Sequence, residues 1–273
     1  MKTLNYLIPA FVLITNGVSA QGNDFEKYIA LKSSDIKVKT AEIQEYDVTM
    51  KWRNLDVVEG TKINCNVLKA TFYVGINNDS VKWENASLAQ IDDFQQTQFE
   101  GIDLPALNHF SYKPPYNAST DFLKEEFYKD IPLEQKYLAR MLVMDEVQMI
   151  EQGWHLFDSL EYKKDFMPNF LNNFDIQYEH GLTFISTYQK FVWSAITKHN
   201  NEICAIVKFE SFFNPFTNSD NEIPIKGRSL FYGEMWISLE DKQVEYAIMV
   251  EDVVFKGPKL TDMQREIVFN KVK

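Results

Sequence analysis

Residues 228–256 read RSLFYGEMWISLEDKQVEYAIMVEDVVFK, and their pattern decides the fold. Two apolar-rich runs of strand length flank the polar stretch Glu240-Asp241-Lys242-Gln243. Runs rich in β-branched and aromatic residues on either side of such a stretch form a β-hairpin. With Leu239 set against Val244 across a four-residue turn, Phe231, Met235, Ile237 and Leu239 share a face with Val244, Tyr246, Ile248 and Val250. That face is expected to be the core. The opposite face then carries Leu230, Tyr232, Glu234 and Trp236 beside Glu245, Ala247, Met249, Glu251 and Val253. The solvent face of an antiparallel sheet is mostly polar, whereas this one mixes large aromatics with acids. It is read as covered by a second layer, as lining a ligand cavity in a curved or half-closed barrel, or as a partner surface. A slip of one residue inverts the assignment.

Outward from this hairpin the chain continues in the same style. Residues 190–198 and 202–213 predict a second hairpin about Asn200-Asn201, since asparagine tolerates the left-handed backbone of a tight turn. Residues 174–179 and 182–187 predict strands about Gly181. Tyr46, Val48, Met50 and Trp52 alternate with polar residues, which marks a half-buried strand. A turn at residues 58–61 leads to another strand through Cys65 to Gly75, and Asn77-Asn78-Asp79 is a turn cluster. Residues 83–116 read as an irregular aromatic excursion ending in Pro114-Pro115. Ser119 or Thr120 caps a short helix over 121–129, and a longer one is expected over 132–158 with Pro132 in its first turn. Met141, Met144, Met149 and Met167 fall there or just beyond, as core or as an adaptable pocket. A loop carries Pro215, Asn218, Asp220 and Pro224, and after Gly257-Pro258 the polar tail is expected to finish as a short helix. Consecutive hairpins around one helical region predict a single α+β domain over 21–273, with an antiparallel, curved sheet and the helix packed on it.

The first twenty residues read as a signal peptide: Lys2, the apolar run over residues 4–15, then Val18-Ser19-Ala20 before a cleavage that exposes Gln21. The apolar run is too short for a bilayer span of about 20 residues, so no transmembrane anchor is expected, and the product is placed in the periplasm or outside the cell. Lys2 leaves with the leader, so the mature chain is more acidic than the net −11 of the whole sequence. That charge disfavours nucleic acid, whose phosphates would repel it. Two cysteines in an oxidising compartment, Cys65 and Cys204, are expected to form a disulfide. Asn78, Asn85 and Asn117 head glycosylation sequons, which matter only in a eukaryotic source.

Chemistry-bearing motifs are sparse. His109, His155, His180 and His199 stand in no zinc-binding spacing, and no GxSxG, CxxC or GxGxxG occurs. No metal, cofactor or catalytic residue is assigned. Tyr232, Glu234, Trp236, Glu245, Met249 and Glu251 are the candidate ligand-binding residues. The leading expectation is an exported binding protein for an apolar or amphipathic molecule, a glycan or a surface partner. Two alternatives are kept. One is a glycan hydrolase using two of Glu234, Glu245 and Glu251 as acid and base, which requires carboxyls roughly 5–10 Å apart. The other is a secreted interaction module without a small ligand.

Overall fold

The computed structural model describes residues 22–31, 36, 43–76, 80–113, 125–151, 157–167, 174–177, 182–186, 188–218 and 224–272. The leader, the Asn77–Asp79 cluster, Pro114-Pro115, the Ser119/Thr120 cap, His155, His180 and Gly181 lie outside them. The chain divides into two compact units, Met1–Leu31 and Lys32–Lys273. The first contains helix α1 (Gly22–Ile29).

Within the second unit, the chain opens as a meander of β1 (Gln44–Asp56), β2 (Thr61–Ile76) and β3 (Ser80–Gln90). The expected turn between β1 and β2 is present, with Gly60 at φ +65°. Short strands β4 (Ile102–Asp103) and β5 (Ser111–Tyr112) pair with the outer side of β3. The chain then turns helical: a 3₁₀ turn (Glu125–Tyr128), α2 (Leu133–Glu146) and a π-helical turn (Val147–Glu151). It returns to strand with β6 (Asp165–Phe166), β7 (Phe174–Gln177), β8 (Leu182–Ser186), β9 (Lys190–His199), β10 (Glu202–Asn218), β11 (Ile225–Ser238), β12 (Val244–Lys256) and β13 (Leu260–Lys271). Every ladder is antiparallel, and the central order is β3-β2-β1-β13-β12-β11-β10, with β9 and β8 both beside β10. The sheet is open and dominates the structure, so α+β holds in the broad sense only.

The helical segment crosses from one edge of the sheet to the other. At its start, Tyr112 accepts a hydrogen bond from the Trp83 indole of β3 (3.3 Å). At its end, Phe157 packs on Trp193 of β9, ring centroids 5.4 Å apart. One sheet face is thereby buried, here the inner face. Leu138, Ala139, Met141, Leu142, Asp145 and Glu146 recur at helical spacing and form the buried side of α2. Pro132 accepts from the Gln135 and Lys136 N–H groups through its carbonyl, and so caps the first turn without a side chain. Beneath, Tyr46, Phe72, Trp83 and Phe269 are fully buried, and Phe72 stacks 4.6 Å from Trp83. Each such ring contributes about 2–3 kcal/mol on leaving water.

Four expectations are revised. Residues 83–90, read as irregular, complete β3; Asn85 at φ +53° and a register shift opposite Lys69 and Thr71 break the alternation that would have marked a strand. The tail read as a short helix is β13, a central strand between β1 and β12. β10 runs on through Pro215 past an irregularity between Ser211 and Asn214, where Phe213 adopts φ +58°. Finally, Cys65 and Cys204 are free and buried, not bonded to each other. Cys65 lies on β2 and Cys204 on β10, with β1, β13, β12 and β11 between them in the sheet. Five strand-to-strand steps of about 4.8 Å far exceed the Cα separation a disulfide tolerates.

The hairpin of β9 and β10 forms as the sequence predicts. His199 pairs with Glu202, and Asn200 and Asn201 take φ +46° and +71°, the left-handed values of a two-residue turn.

Candidate functional site

The decisive hairpin exists, but its register is shifted by one residue along most of its length. Ile237 pairs with Val244, whereas Trp236 pairs with Tyr246, so Glu245 is an extra residue on β12. Such a bulge moves every later side chain of the bulged strand to the other face. Phe231, Met235 and Ile237 are buried on the inner face, as expected for β11. Their β12 neighbours there are Ala247, Met249, Glu251 and Val253, not Tyr246, Ile248 and Val250. The six candidate residues therefore divide. Tyr232, Glu234 and Trp236 stand on the outer face. Glu245, Met249 and Glu251 lie on the buried side, and the three glutamates do not converge as an acid–base pair requires.

The inner acids belong to a buried polar system that fastens α2 to the sheet. Glu251 of β12 pairs in register with Arg265 of β13 and accepts from its Nε (2.9 Å) and Nη2 (2.6 Å), and from the Ser229 hydroxyl (2.6 Å). The same guanidinium reaches Asp145 near the end of α2. Two carboxylates thus share one arginine away from water. Loss of hydration raises Asp145 to about 6, against the opposing pull of Arg265. Arg265 itself is driven upward by its two acids, although burial opposes this. Glu245 forms a buried ion pair with Lys271, which also donates to Gln243 (2.6 Å). Burial pushes Glu245 up while Lys271 holds it down. Next along α2, Glu146 is fully buried and accepts from the Tyr112 hydroxyl (3.1 Å). Removing one member of such a system leaves a charge unpaired in the interior and costs several kcal/mol. These are groups that hold the fold.

The outer face is where chemistry remains available. Register places Trp236, Glu234, Tyr232, Leu230 and Arg228 of β11 beside Tyr246, Ile248, Val250, Asp252 and Val254 of β12. Next come Asn270, Val268, Glu266, Gln264 and Asp262 of β13. The result is an apolar strip along β12 with charged flanks. Tyr232 is 49% exposed, and Trp236, Tyr246, Ile248, Val250 and Val268 are half-buried.

Two elements bound this strip. The β9–β10 tip folds across one end, where Asn200 Nδ2 donates to the Lys271 carbonyl (3.3 Å). There the His199 ring meets Trp236 edge-on at 5.1 Å, and Trp236 lies 4.9 Å from Tyr246. Residues 91–101 of the aromatic excursion cover the far side. Phe94 and Phe99 pack over Cys65, Val67, Ala89 and Ile91, and Arg53 and Lys69 lie over their rings at 5.5 and 4.5 Å. So a second layer covers part of the face and leaves β10–β13 partly open. Sequence reasoning missed Tyr246, Ile248, His199 and Glu266 here. The first two were assigned to the opposite face, Glu266 falls in the tail that was expected to be a short helix, and His199 sits beside the β9–β10 turn.

Further along the strip, Asp252 and Asp262 approach each other. Loss of hydration, then the neighbouring Asp262 carboxyl, raise Asp252 to about 6. A shallow recess of about 300 Å³ opens elsewhere on the sheet among Ile43, Glu45, Tyr73, Ile76, Lys82 and Glu84. Its Glu84 is already matched by Lys82 and lies 3.5 Å from the His109 ring. Among the described residues, no group of three His, Cys, Asp or Glu side chains is placed to hold a metal ion. No helix among them is long and apolar enough to cross a membrane. Neither a protein-family model nor a curated protein matches this chain.

Proposed function

We propose that this chain is an exported binding protein that seats an apolar or amphipathic ligand along the outer face of β10–β13. The observation that carries the reading is the half-buried row of Trp236, Tyr246, Ile248 and Val250, bordered by Glu234 and Glu266. Large apolar side chains left partly accessible between bounding elements favour a ligand by the area it removes from water, while rim charges fix its orientation. Export rests on the leader over residues 1–20, whose removal makes Gln21 the first residue of the mature chain.

Two measurements test the proposal. The neutral dye N-phenyl-1-naphthylamine should bind the mature protein with enhanced emission. Trp236→Ala combined with Ile248→Glu should abolish most of that enhancement while leaving the far-ultraviolet circular dichroism intact. Equal enhancement in wild type and variant places the dye elsewhere and removes the reading. N-terminal sequencing of exported material should begin at Gln21, free or cyclised.

A further inference from the structure

We propose that the Trp236–Tyr246 end of the strip binds an organic ammonium group, held against the ring faces between the carboxylates of Glu234 and Glu266. This assigns the head group of the ligand and rests on the reading that the outer face of β10–β13 is a binding surface.

The first support is charge left uncompensated. Glu234 accepts from the Trp236 indole (2.9 Å), and this is its sole hydrogen bond among the described residues. Glu266 has no hydrogen bond and no ion pair among them. The lysines in register with these acids do not neutralise them. Lys208 lies opposite Glu234 on β10 but makes no ion pair with it. Lys51 lies opposite Glu266 on β1, yet its ammonium is bonded to the Phe94 carbonyl of the covering loop. Both carboxylates act on the Tyr246 phenol, which is raised first by loss of hydration and then by Glu234 and Glu266.

The second support is the shape and polarity of the platform. Trp236 and Tyr246 are inclined at 49°, and His199 stands at 83° to Trp236. Ring faces carry negative quadrupole density, and tryptophan is the best of them for a soft cation. The His199 Nε2 is buried without a partner among the described residues, so one polar group at this end is also unsatisfied.

These features select among cations. A hard dication needs six or more oxygen ligands, and no such cluster stands here. A large, weakly hydrated ammonium gains from ring faces and diffuse carboxylate charge together. Ile248, Val250 and Val268 continue from the platform and would take an attached alkyl chain. The net charge of −11 draws cations toward the protein in general, so the test separates local recognition from that background.

Calorimetric titrations would compare decyltrimethylammonium, decyl maltoside and decyl sulfate, each below its micelle concentration. The trimethylammonium compound should bind on the order of tenfold more tightly than the maltoside, and the sulfate more weakly than either. Glu234→Gln with Glu266→Gln should erase that preference and leave maltoside binding unchanged. Glu59→Gln with Glu134→Gln, the same charge change at exposed positions elsewhere, should preserve it. A preference that survives the first pair, or vanishes equally in the second, overturns the ammonium assignment. Equal binding of all three compounds overturns it while sparing the binding surface. Failure of all three to bind removes both.

Discussion

Gly233 lies opposite Met249 on β12 and has no room for a side chain. A Cβ there would stand 2.0 Å from the Ile248 carbonyl oxygen and 2.6 Å from the Phe209 ring, which fills the space above it. Gly233→Ala must therefore displace backbone, at a cost of about 2 kcal/mol or more. Urea denaturation should show that loss; a midpoint unchanged from wild type would mean the strands open freely at this point. The two thiols make a second prediction at this scale. Burial pushes Cys204 up to about 12 and also raises Cys65, so neither is a ready thiolate. Ellman's reagent should react with neither thiol in the native protein and with both in denaturant without prior reduction. Release of thiols only after reductant would restore the disulfide.

The helix α2 is held by a charged contact as well as by packing, and this makes its attachment sensitive to pH. Asp145 titrates near 6 in the folded state, above its ordinary value of 3.8. A carboxyl raised on folding binds its proton more tightly in the native state. Its contribution to stability is thus complete below about 3.8 and is lost as pH rises through about 6. Between about pH 4 and 6 this group should lower stability with rising pH, by up to about 1.4 kcal/mol per unit, and the slope should fade above pH 6. Denaturation midpoints of wild type and Asp145→Asn at pH 4, 5, 6 and 7 test this. The variant should show a flatter dependence, and parallel profiles would assign the slope to other groups.

The two halves of the open sheet are joined by its last strand. β13 bonds to β12 on one side and β1 on the other, and so joins the N-terminal meander to the C-terminal one. It also supplies Arg265, Ile267, Phe269 and Lys271 to the inner face. A chain ended after Gly257 loses two full ladders and the cation of the α2 attachment. It should unfold without a cooperative transition in calorimetry. A sharp transition in that truncated chain would show that the two meanders meet adequately through α2 alone. The helical crossing has the same scale: it connects β5 at one edge to β6 at the other and roofs the inner face in passing.

Much of this was legible along the chain. Alternation marked β1 and the apolar half of β11, Asn200-Asn201 marked the β9–β10 turn, and helical spacing marked the segment expected as one helix over 132–158, of which α2 spans Leu133–Glu146 and a π-helical turn follows. These signals are local, because backbone geometry imposes periods of 2 and 3.6 on any half-buried segment. The register of the last hairpin was not legible. Tyr246, Ile248 and Val250 are as apolar as Ala247, Met249 and Val253, so hydrophobicity on β12 does not distinguish the faces. The bulge at Glu245 decides between them, and burial of that glutamate depends on Lys271, far away in sequence. The same holds for β13, the free cysteines and the outer strip: each follows from which strands become neighbours, a matter of long-range pairing that no local pattern encodes.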